Sequence, residues 1–372
     1  MSAGRPRVAL LHPCFFPEVR RGSERIIRDL ATSLLELGHR PRLITSHPAA
    51  PSRTVEDGLP IVRHWRPPER RLTRRLIPEY STHVPFAYAS LRAGGDDLAH
   101  AFHFTDAAAT LRWRERTGRP AVFSYMGLPE RPALANRRGK LRLLTAAATE
   151  SDAVLVLSHA AARAMERWLG VTPRVIHPGV DLATFTPGGA RDPEPAILCT
   201  AAPDDPRKRV DLLAAAFALV RRERPGAHLI ALRPHAPGGV ARAGLDQDGV
   251  ELFDAVDDPA LLAPLYRRAW VSALPSRAEA FGVVMLESLA CGTPVVASQD
   301  AAAPEVIDDS GVGVLFGDPS PEAVARALLE ALDLAEDPAT ADACRARAGE
   351  FSTGRTGREH AALYSELLDR AA

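Results

Sequence analysis

The sequence predicts an α/β protein made of two Rossmann-like domains, each a doubly wound parallel sheet covered by helices. Short apolar runs alternate with amphipathic helical patterns in both halves of the chain. A segment rich in Pro, Gly and Asp, from Pro187 to Pro195, separates the two alternations and is typical of an interdomain linker. The length of 372 residues also suits two domains of common size. We therefore expect one domain at 1–187 and a second at 188–355.

The first domain is predicted to open with a strand, a helix and a second strand. The apolar run Arg7–Leu11 indicates a buried parallel strand. Apolar residues at intervals of three and four predict an amphipathic helix over 23–37, with Ser23 as its N-cap and Gly38 as its stop. Later strands of this domain are predicted at 42–45, 121–124 and 153–157.

The second half repeats this alternation. Strands are predicted at 196–200, 227–232, 270–274 and 294–297. Helices are predicted at 210–222, 259–269 and 282–291. A last amphipathic helix, at 358–371, could pack on either domain.

The composition is that of a globular enzyme, with 46% hydrophobic and 25% charged residues. A formal net charge of zero gives no general argument for nucleic-acid binding. The charge is uneven, however, because residues 1–185 hold 28 Lys and Arg against 17 Asp and Glu. Either the two halves meet different partners, or each surface is charged only for solubility.

The cysteines and the N-terminus predict a cytoplasmic protein. No C-x-x-C spacing is present, so we expect no metal site or disulfide framework and assign the thiols to packing. The four cysteines are Cys14, Cys199, Cys291 and Cys344. The first apolar run is too short for a signal peptide, and no stretch approaches the roughly 20 apolar residues that span a bilayer.

The most informative segment runs from 275 to 294. Glu279 lies in a loop after a predicted strand, and a helix is predicted to begin near Gly282. The first-turn amides of a helix attract anions. Glu287, eight residues after Glu279, lies about 12 Å along an ideal helix. Two carboxylates flanking an anion site could bind the two ends of a sugar–diphosphate–nucleoside.

A structural explanation of these carboxylates is also open: Glu279 could complement the helix dipole and Glu287 could lie on a solvated face. The sequence favours function, because Glu287 stands between Leu286 and Leu289 in an almost wholly apolar helix. A carboxylate there is costly unless it has a partner.

This segment resembles the E-x7-E motif of the family-4 retaining glycosyltransferases, which have the GT-B fold. Weaker resemblances to the same family occur in the expected order at 15–37, 175–181, 207–213 and 351–368. The resemblance implies two Rossmann-like domains facing a central cleft, with the donor domain second. It also implies that a C-terminal helix, at about 356–372, packs back on the acceptor-side domain.

The resemblance also implies the roles of individual residues. Glu279 would hold hydroxyls of the donor sugar, Glu287 would bind the ribose, and Lys208 would neutralise the diphosphate as it leaves. Backbone amides near the sugar and phosphate would come from Phe281, Gly282 and Val283. Gly22 would let the first-domain loop approach the phosphates. The nucleoside diphosphate sugar is then a substrate, and neither a cofactor nor a metal is implied.

The chain departs from the family pattern at two phosphate-binding positions. The family's Gly-Gly loop is Arg21-Gly22 here, and the Arg that usually precedes the Lys falls on Pro203. Arg207 or Arg209 could replace that Arg. These departures leave the nucleotide and the sugar of the donor open.

Histidines supply one further catalytic candidate. The stretch His100-Ala101-Phe102-His103 resembles the family's His-x-His, but the functional histidine aligns with Phe102, which makes His103 a displaced candidate. The alternative for His103 is a surface histidine on a loop. His12 and His177 are more simply explained as structural residues.

The densest basic run lies in the first domain. Its arginines are Arg63, Arg66, Arg70, Arg71, Arg74 and Arg75, and a second cluster includes Arg137, Arg138, Lys140 and Arg142. The first run is consistent with an anionic acceptor, with peripheral contact to an anionic membrane surface, or with a solvated loop.

Together these patterns predict a metal-independent, retaining glycosyltransferase that moves a hexosyl unit from a nucleoside diphosphate sugar to an acceptor hydroxyl. The alternatives are a nucleotide-sugar epimerase on the same scaffold and a non-catalytic nucleotide-sugar-binding protein. An NAD-dependent oxidoreductase is disfavoured, because no G-x-G-x-x-G follows the first strand. The acceptor and the oligomeric state have no readable signature.

Overall fold

The computed structural model describes residues 5–19, 21–68, 78–131, 134, 138–256, 258–308 and 311–371. The chain divides into two compact units, with boundaries between Pro178 and Gly179 and between Ser352 and Thr353. The first unit therefore includes the end of the chain, and the second includes the Pro- and Gly-rich segment that resembles a linker. Within the described ranges, no helix combines the length and the apolar character needed to cross a bilayer.

The first unit is built on an eight-stranded sheet. Its strands are Arg7–Leu11 (β1), Arg40–His47 (β2), Ser52–Glu56 (β3), Leu59–Trp65 (β4), Leu98–Ala101 (β5), Ala121–Tyr125 (β6), Ala153–Val156 (β7) and Arg174–Val175 (β8). The order across the sheet is β3-β4-β2-β1-β5-β6-β7-β8, and only β3 runs antiparallel to its neighbour. Because β1 lies between β2 and β5, the winding reverses there, and such a reversal opens a crevice at the carboxyl ends of the strands.

Helices cover this sheet, and the end of the chain supplies one of them. They are Gly22–Glu36 (α1), Val84–Gly94 (α2), Phe104–Thr117 (α3), Arg138–Glu150 (α4), His159–Leu169 (α5) and the C-terminal helix Thr353–Ala371. The C-terminal helix places Tyr364 and Leu367 in the same apolar cluster as Ile27 and Leu34 of α1. Each fully buried side chain of this size contributes about 1.5–3 kcal/mol. The last helix is therefore part of the core of the first unit.

The start of α1 differs from the prediction. The helix begins at Gly22 with Arg21 as its N-cap, so the assignment of Ser23 as the cap is wrong. Glu24, in the first turn, causes the difference: its carboxylate accepts hydrogen bonds from the Arg21 amide at 3.1 Å and from the Ser23 hydroxyl at 2.9 Å. A Glu at this position can reach back and satisfy the amides at the helix start. Gly38 ends the helix as predicted, with φ +81°.

The second unit contains a six-stranded parallel sheet. Its strands are Ala196–Cys199 (β9), His228–Leu232 (β10), Val250–Phe253 (β11), Val271–Leu274 (β12), Val295–Ser298 (β13) and Gly313–Phe316 (β14). Their order is β11-β10-β9-β12-β13-β14. The chain winds to one side from β9 and to the other from β12, so the point of reversal lies between these two strands.

The helices of the second unit agree with the prediction to about one residue wherever one was predicted. They are Val210–Glu223 (α6), Gly239–Arg242 (α7), Pro259–Arg268 (α8), Val283–Ala290 (α9), Ala303–Val306 (α10), Pro321–Glu336 (α11) and Pro338–Gly349 (α12). All four cysteines of the chain are buried, and none forms a disulfide. Burial raises the pKa of Cys199 to about 11 and that of Cys291 to about 12, so both thiols stay protonated at neutral pH.

Candidate functional site

Two loops at the carboxyl edge of the second sheet form the candidate site. One follows β9 and contains residues 200–209; the other follows β12 and contains residues 275–282. Because β9 and β12 are neighbours at the point where the winding reverses, these loops border the crevice in which parallel α/β sheets usually bind ligands. A hydrogen bond of 2.8 Å from the Arg277 amide to the Arg207 carbonyl joins the loops.

The structure brings Lys208 and Glu279 together across these loops. The Lys208 Nζ lies 2.5 Å from Glu279 Oε2, and the side chains are 22% and 19% exposed. Both groups are thus partly shielded from water but still reachable by a ligand. A lysine ammonium and a carboxylate in one crevice can bind a phosphate and a hydroxyl side by side.

The start of α9 lies next to this pair. Gly282 is the N-cap, with φ +84°, and no side chain caps the first turn. The left-handed conformation favours glycine at Gly282, and a Cβ there would lie 2.8 Å from Met285 Cε and 3.0 Å from Leu274 Cδ2, so these side chains would have to shift. The helix thus begins where it was predicted, and its first-turn amides, beginning with Val283, have no side-chain cap. Uncapped amides at a helix start can attract an anion. Phe281 itself is buried and packs on Phe351, with ring centroids 5.8 Å apart.

Glu287 is fully buried in α9, so the alternative of a solvated face is wrong. The Tyr266 hydroxyl donates a hydrogen bond of 2.8 Å to Glu287 Oε2, and the same hydroxyl lies 3.2 Å from Thr200 Oγ1. This is the partner that a carboxylate in an apolar helix requires. Sequence analysis missed Tyr266; the available signal was its place among the apolar residues of a predicted helix.

The two arginines beside Lys208 differ in their contacts. The guanidinium of Arg207 is exposed and pairs with Asp205 at 2.5 Å. Arg209 caps the start of α6 in the left-handed conformation, with φ +49°. Arg209 is partly buried and, among the described residues, forms no ion pair. It is therefore the better candidate for the missing phosphate arginine.

Gly22 and His103 belong to the first unit. A Cβ at Gly22 would meet nothing within 4 Å, so packing within this unit does not require glycine there. His103 caps α3: its Nδ1 lies 2.7 Å from Thr105 Oγ1 and 3.4 Å from the Thr105 amide nitrogen, which donates to it. Burial lowers the pKa of His103 to about 3, so the ring is neutral at physiological pH. His103 lies in the bend between β5 and α3, where it is partly buried and caps the helix.

Two other histidines make contacts within the first unit, His100 through its side chain and His177 through its backbone carbonyl. His100 is fully buried between the Tyr364 hydroxyl and Ser124 Oγ, each at 2.7 Å. Burial holds the pKa of His100 well below its usual value. The carbonyl of His177 accepts a 2.9 Å hydrogen bond from Thr356 Oγ1.

The basic run is largely neutralised where the structure describes it. Arg63 pairs with Glu56 at 2.9 Å, and Arg66 pairs with Glu18 and donates to the Pro13 carbonyl at 3.0 Å. The remaining members of that run, Arg70, Arg71, Arg74 and Arg75, lie outside the described residues, as does Arg137 of the second cluster. Arg138 begins α4, which also carries Lys140 and Arg142.

Comparison with known proteins relates both units to the same enzymes. Residues 20–184 match the family model described as Glycosyltransferase Family 4, and residues 194–334 match that of Glycosyl transferases group 1. A D-inositol 3-phosphate glycosyltransferase from Saccharomonospora viridis is 30% identical over 366 residues, which cover 87% of this chain and 83% of that protein. Its counterpart from Segniliparus rotundus is 34% identical over 192 residues, which cover 46% of this chain but only 42% of that protein.

Solved structures show the same fold. Sucrose-phosphate synthase from Thermosynechococcus elongatus has a TM-score of 0.84 at 22% identity, covering 98% of this chain and 100% of its own. Anabaena HepE in complex with UDP and glucose has a TM-score of 0.72 at 18% identity, covering 97% and 100%. The fold is therefore GT-B. Together with the family matches, this shows that the chain belongs to the family-4, group 1 glycosyltransferases.

Proposed function

We propose that this glycosyltransferase moves a hexosyl unit from a nucleoside diphosphate sugar to an acceptor hydroxyl, with retention of configuration and without a metal ion. The observation that carries the proposal is the Lys208–Glu279 pair at the start of α9, with 2.5 Å between Nζ and Oε2. At a helix end that attracts anions, the Lys208 ammonium suits the phosphate of such a donor, and the Glu279 carboxylate can accept hydrogen bonds from its sugar hydroxyls.

In this proposal Lys208 acts on the leaving group. When the bond between the sugar C1 and the phosphate oxygen breaks, negative charge grows on the diphosphate. The ammonium of Lys208 and the first-turn amides of α9 stabilise that charge, with Arg209 as a further cation. Donors placed beforehand where charge develops are usually the largest source of rate enhancement. Positive charge from the protein would thus stabilise the leaving diphosphate, the role that a metal ion has in other transferases.

Glu279 would orient the sugar, and the acceptor would react on the face from which the diphosphate leaves. The acceptor oxygen bonds to C1, and its proton passes to an oxygen of the departing phosphate, so configuration is retained. We base this route on family analogy. The neutral ring of His103 would serve as a hydrogen-bond partner for a sugar hydroxyl, and Gly22 would allow close approach of a phosphate.

Glu287 has a different standing, because its burial and its bond from Tyr266 give it a structural role. Its proposed contact with the ribose requires the cover over the carboxylate to open when the nucleotide binds. The stability of a Glu287 variant must therefore be measured before any loss of nucleotide binding is attributed to a lost contact with the ribose.

The comparisons suggest which substrates to test first. HepE is described with UDP and glucose, and relatives are described as D-inositol 3-phosphate glycosyltransferases and as a phosphatidyl-myo-inositol mannosyltransferase. We propose an inositol or another polyol as the acceptor class, carrying a phosphate. Anionic membrane contact by the basic first unit remains a separate proposal, tested by sedimentation with anionic vesicles.

The decisive experiment combines binding and turnover. UDP, GDP, ADP and dTDP are compared by thermal stabilisation; a nucleotide at about 100 times its Kd should add roughly 2.7 kcal/mol. The matching hexose donors are then assayed with inositol 3-phosphate, and the anomeric configuration of the product is read by NMR. We expect Lys208→Ala to lower kcat by about 10²- to 10³-fold. Arg222→Ala and Glu330→Gln, both on exposed positions of the second unit, are the controls.

Other outcomes would reject specific parts. An epimerised donor in the absence of acceptor would indicate the epimerase, and nucleotide binding without transfer or hydrolysis would indicate a binding protein. Loss of activity in EDTA, restored by a divalent cation, would reject metal independence. Inversion at C1 would reject the retaining route.

A further inference from the structure

Three side chains with metal-ligating atoms meet in the first unit. His12 and Cys14 follow β1, and Glu24 lies in the first turn of α1. The Cys14 Sγ is 3.6 Å from Glu24 Oε1 and 3.9 Å from His12 Nδ1, and His12 Nδ1 is 3.7 Å from Glu24 Oε1. All three residues are buried, with exposures of 6% for His12, 1% for Cys14 and 0% for Glu24.

These separations are close to those around a tetrahedral zinc ion. Zinc bonds of about 2.3 Å to sulfur and about 2.0–2.2 Å to nitrogen and oxygen place neighbouring ligand atoms roughly 3.3–3.6 Å apart. The three distances between ligand atoms therefore need to contract by only a few tenths of an ångström, and the Cys14 carbonyl, which lies 2.6 Å from His12 Nδ1, must turn away from the position of the ion. We propose that His12, Cys14 and Glu24 form a three-ligand site for Zn²⁺ or a cation of similar softness, with its fourth position filled by water.

Glu24 is already oriented for this role. Its Oε2 accepts hydrogen bonds from the Arg21 amide and the Ser23 hydroxyl, which leaves Oε1 turned toward Cys14 and His12. Hydrogen bonds to the second oxygen of a ligating carboxylate are a regular part of metal sites. Among the described residues, His12 is the one basic side chain within ion-pair distance of this buried carboxylate. A bound cation would supply the opposite charge that the Glu24 carboxylate requires in a buried position.

Metal binding requires a defined set of proton movements. His12 Nδ1 lies 2.6 Å from the Cys14 carbonyl, so in the metal-free protein Nδ1 carries the proton and donates it there. On binding, that proton moves to Nε2 and the Nδ1 lone pair binds the cation, with no net release. The Cys14 S–H bond breaks, its proton goes to solvent, and a sulfur–metal bond forms. Because the Cys14 thiol donates to Glu24 Oε1 in the metal-free protein, each bound ion should release that one proton.

The site belongs to the first unit and does not depend on the proposed function. It joins the end of β1 to the start of α1, and so would fix the segment that carries Gly22. The His12 ring also lies 6.2 Å from the ring of His103, centroid to centroid. Occupancy by a cation would therefore stiffen the carboxyl edge of the first sheet, whether or not the transfer reaction itself needs a metal.

Cobalt provides a direct test on the metal-free, full-length protein. We expect one equivalent of Co²⁺ to produce a thiolate-to-cobalt charge-transfer absorption and to release one proton. Zn²⁺, which binds such sites more tightly, should displace the cobalt and raise the Tm. Cys14→Ser should abolish the absorption, whereas Cys291→Ser, which removes a buried thiol of the second unit, should retain it.

Two further variants keep the test decisive if Cys14→Ser does not fold. His12→Gln and Glu24→Gln retain the thiol, and each should lower Zn²⁺ affinity by about 10- to 100-fold or more. Mutation of residues that only hydrogen-bond to metal ligands already lowers metal affinity by that factor. Circular dichroism confirms that each variant is folded. Absence of the charge-transfer band and of proton release in the wild type would overturn the site. So would unchanged affinity in both variants, or a band that depends on another cysteine.

Discussion

Replacing Tyr266 with Phe tests how much the buried hydrogen bond from the Tyr266 hydroxyl stabilises the carboxylate of Glu287 in α9. The substitution keeps the ring of Tyr266 and removes its hydroxyl, which donates to Glu287 Oε2 at 2.8 Å and lies 3.2 Å from Thr200 Oγ1. Both residues are fully buried, so water cannot replace the lost donor without opening the core. A hydrogen bond to a charged group contributes about 1.5–3 kcal/mol, and we expect Tyr266→Phe to lower the free energy of unfolding by this amount.

Urea unfolding and thermal melts measure the effect. For a unit of this size, a loss of 1.5–3 kcal/mol corresponds to a fall in Tm of roughly 3–12 °C. Tyr88→Phe, in the first unit, removes a hydroxyl with no hydrogen bond among the described contacts and should leave Tm nearly unchanged. The double variant Tyr266→Phe/Glu287→Gln should be less destabilised than the sum of the single variants, because the residues share one interaction.

Two results would refute this reasoning. A loss below about 0.5 kcal/mol for Tyr266→Phe would mean that the bond adds nothing beyond what a surface substitution does. Strict additivity of the single variants would mean that Tyr266 and Glu287 act independently, although they lie in contact.

Three further predictions concern conformation and pH. Ala278 lies in the site loop and has φ +55°, a left-handed conformation that strains any residue with a Cβ. Ala278→Gly should therefore raise the free energy of unfolding, measured in urea, by up to about 1 kcal/mol. A loss of stability would show that the backbone at Ala278 is not strained. Gly282→Ala should cost more than Gly170→Ala, because both glycines have positive φ but only the Gly282 Cβ would clash, at 2.8 Å from Met285 Cε; equal losses of Tm would show that packing relaxes freely. Burial lowers the pKa of His360 to about 4 and that of His100 well below its usual value. At mildly acidic pH both histidines are therefore protonated in the unfolded chain but neutral in the folded protein. Stability should therefore fall as pH drops from about 6.5 toward 4, with His360 contributing on the order of 2 kcal/mol at pH 5 and His100 adding to the loss. His360→Leu should flatten this pH dependence, and the exposed-residue variant His235→Gln should not.

The sequence alone determined most local structure and one functional motif. Both βα alternations, the ends of α6, α8 and α9, and the stop at Gly38 follow from short-range periodicity and capping. The E-x7-E spacing identified the loop and helix of the candidate site, because a helix fixes the distance between residues of one segment. The strands Val250–Phe253 and Gly313–Phe316 were missed, although other four-residue strands were predicted, because Glu251 and Gly313 interrupt or shorten their apolar runs.

Only the tertiary structure decided which distant residues meet. Lys208 and Glu279 are joined because β9 and β12 are neighbours in the sheet, and local periodicity does not encode strand order. The partner of Glu287 likewise comes from α8, and the C-terminal helix belongs to the first unit because its apolar face is buried against α1. His12, Cys14 and Glu24 have no recognisable ligand spacing in the sequence. They converge because the chain turns back at the end of β1 and the capping of α1 directs a carboxylate toward a thiol and an imidazole.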